Sequence, residues 1–159
     1  MKTVLFVCTG NTCRSSMAEW LFKDMIKDID KLKCVRIKSA GVFALPGQNA
    51  SKQAIIAMEK HGIDLNKHIS SKLTKELIDE ADLILTMTMN HKYALLNMVP
   101  GASSKTFTLK EYAYDGNVSS LDITDPYGMS VEQYEQCLDE IKKALTKVIE
   151  KMVENYKKS

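Results

Sequence analysis

No long apolar run occurs in this chain. Nothing in its 159 residues approaches the ~20 apolar residues that cross a bilayer. Val4-Leu5-Phe6-Val7, between Met1-Lys2-Thr3 and Cys8, is shorter than the ~7–15-residue core of a secretory signal. A soluble, cytoplasmic protein with no membrane partner is expected. Neither sign of charge is in excess: 22 basic and 20 acidic residues are intermixed for a net charge of +2, so no large field steers the protein to nucleic acid, and none is expected as a partner. The four cysteines, at positions 8, 13, 34 and 137, do not form a secreted disulfide framework. A zinc site built on Cys8 and Cys13 lacks a second ligand pair at suitable spacing, so neither metal nor cofactor is expected. Internal repeats, low-complexity tracts and linkers are also missing. With 45% hydrophobic residues in 159, the chain suits one well-buried core, a single domain spanning 1–159, and a monomer is expected.

What is present is organised around Val7-Cys8-Thr9-Gly10-Asn11-Thr12-Cys13-Arg14-Ser15-Ser16, between the apolar run 4–7 and the helical pattern Met17-Ala18-Glu19-Trp20-Leu21-Phe22. It reads as strand, tight loop, helix. Backbone N–H groups of such a loop converge on one anion-sized space, a phosphate cradle following the first strand. Gly10 suits positive φ or close backbone approach, and Asn11 also tolerates the left-handed region. Arg14 closes the ring with a fork of donors for two phosphate oxygens. A thiol at that focus, beside a guanidinium and a helix N-terminus, is expected to ionise well below the ~8.5 of free cysteine, making Cys8 a nucleophile.

Along the chain, periodicity predicts helices over 15–30 (capped by Ser15 or Ser16), 50–61 (stopped by Gly62), 73–81 (with Thr74 as cap), 90–98 and 130–157. Strands are predicted at the start, over 34–39, 82–87 and 106–109, with Cys34 in a strand core, 111–124 irregular and Cys137 in helix packing. Alternation of the two implies an α/β fold, a three-layer α/β/α arrangement with a four-stranded parallel sheet that fits the order 2-1-3-4. Sites in such sheets lie beyond the carboxyl ends of the strands where strand order reverses, which brings Ser39 near Cys8. Attack by a thiolate needs an acid for the departing group. Asp125 in Thr124-Asp125-Pro126-Tyr127-Gly128 is the best candidate, since Pro126 and Gly128 hold the carboxyl in a fixed turn, although Asp-Pro is turn chemistry anywhere and Asp122 is a local competitor. His61 and His91 read as ordinary helix residues.

Cys8-x5-Arg14 followed by Ser, in the form VCTGNTCRSSMAE near the N-terminus, resembles the active-site signature of the low-molecular-weight protein tyrosine phosphatase family, and within it the protein arginine phosphatase branch. The resemblance extends over nearly the whole chain. It implies Cys8, Arg14 and Asp125 as catalytic residues, the amides of residues 9 to 14 (Thr9, Gly10, Asn11, Thr12, Cys13, Arg14) around the phosphoryl oxygens, and Tyr127 as an aromatic wall that Phe43 could face. Asn11, Ser15, Ser39 and His68 would brace the cradle. The implied reaction is hydrolysis of phosphorylated proteins through a phosphocysteine, without a metal. Relatives acting on phosphotyrosine commonly carry a bulky aliphatic residue in place of Thr12 and Asp-Pro-Tyr-Tyr-Gly where this chain has Asp125-Pro126-Tyr127-Gly128-Met129-Ser130; both departures resemble the arginine phosphatases. Phosphoarginine is therefore the expected substrate, with phosphotyrosine as the alternative. An arsenate reductase would need further redox cysteines, which 82–98 does not offer, and a phosphopeptide-binding module would have no use for Cys8 and Asp125 together. Cys13 is either a packing residue or a peroxide-sensitive partner of Cys8.

Overall fold

A computed structural model describes residues 2–158. Four strands, β1 (Thr3–Cys8), β2 (Arg36–Gly41), β3 (Leu83–Thr86) and β4 (Thr106–Thr108), pair in parallel in the order β2-β1-β3-β4. Every residue of β1 is buried, as a central parallel strand covered on both faces requires. Alternate side chains serve opposite layers. Val4 and Phe6 pack with α1 (Arg14–Ile26), α2 (Lys52–Glu59), α5 (Leu109–Tyr114) and α6 (Val131–Lys158), while Leu5 and Val7 meet α3 (Lys75–Glu80) and α4 (Met89–Met98). In α6 the stripe Tyr134, Leu138, Ile141, Leu145, Val148 and Met152 is buried; each large side chain contributes about 1.5–3 kcal/mol. Because β1 is followed on one side by β2 and on the other by β3, strand order reverses at its carboxyl end, where Cys8 sits across from Gly41.

Three boundaries differ from those expected. Helix α1 stops at Ile26, not near Asp30: Ile29 N–H turns back to the Ile26 carbonyl, and this turn returns Leu32 to the core. The second strand begins at Arg36, whose N–H makes a ladder bond to Lys2, so Cys34 lies before it in the turn and is exposed, not a strand-core residue. The strand also runs beyond Ser39 to Gly41. Residues 109–114 are helical, where the end of a strand and the start of an irregular stretch were expected. Thr108 and Glu111 form a capping box, the Thr108 hydroxyl accepting from Glu111 N–H at 2.9 Å and the Glu111 carboxylate from Thr108 N–H at 3.1 Å. Six residues are too few to show a period, and the strand pattern ran into them. Thr74 caps α3 as expected, and Gly62, at φ 74°, follows α2.

Candidate active site

Residues 9–13 turn sharply between β1 and α1, and the left-handed position is Asn11, at φ 58°. Gly10 has no positive φ, so the left-handed reason expected for that glycine does not apply, and a Cβ there would meet only Thr12 Oγ1 among protein atoms, at 3.7 Å. Close approach occurs instead at Gly41, where a Cβ would lie 2.4 Å from the Thr9 carbonyl oxygen and 2.9 Å from Asn11 N. A side chain at residue 41 would push the loop off the sheet.

Asn11 is buried, and all its side-chain groups are used. Its Nδ2 donates to Ser15 Oγ and Ser39 Oγ, both at 2.8 Å, and its Oδ1 accepts from Ser71 N–H at 2.9 Å. Trp20 Nε1–H donates to His68 Nδ1 at 3.1 Å, so the hydrogen of that ring is on Nε2, which donates to the Asn11 carbonyl at 2.7 Å. Burial keeps the His68 pKa below its ordinary value, although the Asn11 carbonyl and the nearby Glu19 pull it upward. Ser39 in turn donates to Glu19 at 2.5 Å. Of the four expected bracing residues, Ser15, Ser39 and His68 thus meet around the fourth, Asn11, with Trp20, Glu19, Ser71 and Gly41 as additional members.

Cys8 Sγ lies 2.8 Å from Ser15 Oγ and accepts from Asn11 N–H at 3.3 Å. Since Ser15 already accepts from Asn11, its hydroxyl hydrogen is free to reach the sulfur. Ser15 and Ser16 are inside α1 and do not cap it; the cap position is Cys13, without a side-chain bond, which leaves first-turn N–H groups facing the loop. Two influences on the Cys8 thiol oppose each other. Burial pushes the Cys8 thiol up, against the pull of Ser15, the Arg14 guanidinium and Asn11 N–H.

Across the pocket, buried Arg14 donates from Nη1 to the Ile123 carbonyl at 2.9 Å and holds Nη2 3.5 Å from Asp125 Oδ2. Ile123 N–H bonds the Met87 carbonyl at the end of β3, anchoring the acid loop to the sheet. Asp125 is half exposed and accepts from Tyr127 N–H at 3.1 Å. Asp122, the competitor, instead accepts from Met89 N–H at 2.9 Å at the start of α4. A cleft of about 230 Å³ is lined by Cys8, Thr9, Gly10, Thr12, Cys13, Arg14, Asp125 and Tyr127. Phe43 does not line it: the ring is 78% exposed, and the residue contributes a backbone N–H to the Thr9 carbonyl at 3.0 Å. Cys13 is buried, with Tyr134 Oη at 3.3 Å from its sulfur, while the Cys137 thiol donates to the Thr124 carbonyl at 3.7 Å. His91 is no ordinary helix residue either, for its Nε2 lies 2.8 Å from Thr9 Oγ1. Among the described residues no group of three or more His, Cys, Asp and Glu is placed to hold a metal, and no helix is long and apolar enough to cross a membrane.

Comparison with known proteins agrees with this geometry. The family model for low molecular weight phosphotyrosine protein phosphatase matches residues 3–158. A protein-arginine-phosphatase of Bacillus subtilis is 44% identical over 149 residues, covering 94% of this chain and 95% of the relative. Among solved structures, a mutant of YwlE arginine phosphatase with a phosphorylated active-site serine superposes with a TM-score of 0.87 at 40% identity, covering 94% of this chain and 95% of that one. A low molecular weight protein tyrosine phosphatase from T. tengcongensis gives a TM-score of 0.87 at 41% identity, with 95% and 99% covered. The strand order, the loop and the matches agree: this chain belongs to the low molecular weight phosphotyrosine protein phosphatase family.

Proposed function

We propose that this protein hydrolyses phosphoarginine in phosphorylated proteins through a phosphocysteine on Cys8. The observation that carries the reading is a buried sulfur, bonded by Asn11 N–H and Ser15, that lines one cleft with Arg14 and Asp125, themselves 3.5 Å apart. Cys8 attacks phosphorus as a thiolate; the S–P bond forms as the P–N bond breaks, and Asp125 gives its proton to the departing guanidino nitrogen. The buried Cys8 thiol passes its proton to an oxygen of the incoming phosphoryl dianion, so no second negative charge is buried. Asp125, now a carboxylate, takes a proton from the water whose oxygen joins phosphorus as the S–P bond breaks, and the departing sulfur takes back from the released phosphate the proton it gave up, which restores the thiol. Arg14 and the amides of residues 9 to 14 hold the equatorial oxygens through both displacements. Ser15, within 2.8 Å of the sulfur, eases its departure. Asn11, Ser39 and His68 keep the cradle in shape, and Tyr127 walls the mouth.

Similarity to the arginine phosphatase and the polar Thr12 at the pocket favour phosphoarginine. The second reading, phosphotyrosine, has the exposed Tyr127 ring and the T. tengcongensis relative in its favour. Matched phosphoarginine and phosphotyrosine peptides decide between them: catalytic efficiency is expected to be higher on the former, and Thr12→Ile is expected to shift the ratio about tenfold or more toward the latter. Turnover on phosphoarginine no faster than on phosphotyrosine overturns the assignment. The reading takes residues 1–159 as one catalytic domain that works as a monomer in the cytoplasm.

Cys13, in the same cleft as Cys8, supports a reversible oxidative switch. Activity lost to mild peroxide is expected to return with dithiothreitol in the wild type and to stay lost in Cys13→Ala. Equal recovery in both removes the switch.

A further inference from the structure

His91 belongs to α4, 82 residues from Thr9 in the chain, yet its Nε2 is 2.8 Å from the Thr9 hydroxyl. The ring is only 5% exposed, and Nδ1 is buried without a hydrogen-bond partner among the described residues. A helix that needed His91 only for packing could carry an apolar ring there and avoid the unpaired atom.

The ring is neutral. Burial and the Arg14 guanidinium push its pKa down to about 4, against Asp122 and Asp125, the acidic groups that face it from the acid loop. A neutral imidazole has one hydrogen. On Nδ1 it would be a buried donor with no acceptor, a larger loss than a bare lone pair, so it sits on Nε2 and is donated to Thr9 Oγ1. Thr9 then keeps one oxygen lone pair and its own hydrogen. The phosphoryl oxygens belong to the amides and Arg14, beside the buried sulfur. Thr9, exposed at the rim, stands where the leaving group begins.

We propose that His91 is a positioning residue that fixes the Thr9 hydroxyl at the rim, so that its lone pair accepts from a guanidino N–H and its hydrogen is donated to a phosphoryl oxygen. The proposal deepens, and rests on, the phosphoarginine reading. A phenyl leaving group has no N–H to offer, so it loses less when Thr9 is released.

The test compares His91→Ala, His91→Gln, Thr9→Val and the double variant His91→Ala/Thr9→Val by kcat/KM on matched phosphoarginine and phosphotyrosine peptides. His91→Ala is expected to lose about tenfold more on phosphoarginine than on phosphotyrosine. His91→Gln, whose amide nitrogen reaches the place of Nε2, restores most of that loss, and the double variant is no worse than Thr9→Val. Equal losses on both substrates, a glutamine no better than alanine, or additive losses in the double variant each overturn the proposal. Should the His91 variants fail to fold, imidazole nitrogen NMR of the wild type carries the test: an Nε2–H tautomer supports it and an Nδ1–H tautomer overturns it. A wild type that does not prefer phosphoarginine is a failure of the substrate reading, which the tautomer and the coupling of His91 to Thr9 detect separately.

Discussion

Cys8→Ser is expected to lower turnover by a factor on the order of 10⁴ or more while leaving the affinity for inorganic phosphate within about threefold of wild type. The two halves come from different atoms. In the proposed mechanism oxyanions are gripped by loop amides and by Arg14, which is fixed to the Ile123 carbonyl, and neither depends on sulfur. The shape of the loop depends on Asn11, bonded to Ser15, Ser39 and Ser71, and those bonds also survive. What fails is chemistry: a serine hydroxyl ionises far less readily than a thiol, and a phosphoserine, once formed, has a much worse leaving group. An intact-mass measurement after incubation with phosphoarginine peptide is expected to find a trapped phosphoryl adduct on residue 8. Undiminished steady-state rates would remove the covalent mechanism altogether. Loss of phosphate binding along with turnover would show instead that sulfur is needed to shape the cradle.

The placement of these residues was largely legible in the sequence because it is local. Cys8, Asn11 and Arg14 fall within one strand-loop-helix unit, and each residue type has few other uses at its position. The parallel sheet followed from alternation and from the apolar runs at 4–7 and 82–87, while its order fits that pattern and is what the family resemblance implies. Less was legible where the partner comes from far along the chain. His91 faces Thr9 across 82 residues, Trp20 finds His68 across 48, and no periodicity announces either contact. Gly41 shows the same limit, since close approach to Thr9 and Asn11 depends on how β2 lies beside β1, whereas the loop's own glycine drew attention for a conformation that Asn11 adopts. Cys34 was misplaced because Val35-Arg36-Ile37 alternates as a strand would, while the turn through Leu32 delays the first ladder bond to Arg36. Helix 109–114 did leave a signal, Thr108 followed three residues later by Glu111, but it abuts a strand and spans under two turns.

Asp125→Asn is expected to lower kcat on phosphoarginine peptides by about 10²–10³-fold, and on p-nitrophenyl phosphate by much less. A guanidino nitrogen cannot leave as an anion and needs its proton as the P–N bond breaks, whereas p-nitrophenolate departs without one. An asparagine at residue 125 keeps the size and can still accept from Tyr127 N–H, so the loop that Ile123 ties to Met87 stays in place. Only the transferable proton and the charge facing Arg14 are lost. The control is Asp122→Asn, three residues earlier on the same loop. Asp122 accepts from Met89 N–H at the start of α4, and asparagine keeps that acceptor and loses only the charge beside the helix N-terminus, so the replacement is expected to cost about 0.3–1 kcal/mol of stability, read from thermal or denaturant unfolding, with kcat changed far less. If the two variants exchange roles, with Asp122→Asn selectively slow on the poor leaving group, the acid has been assigned to the wrong carboxyl. If Asp125→Asn slows both substrates equally, residue 125 acts by holding Arg14 and not by delivering a proton, and the leaving group must draw its hydrogen from elsewhere in the cleft.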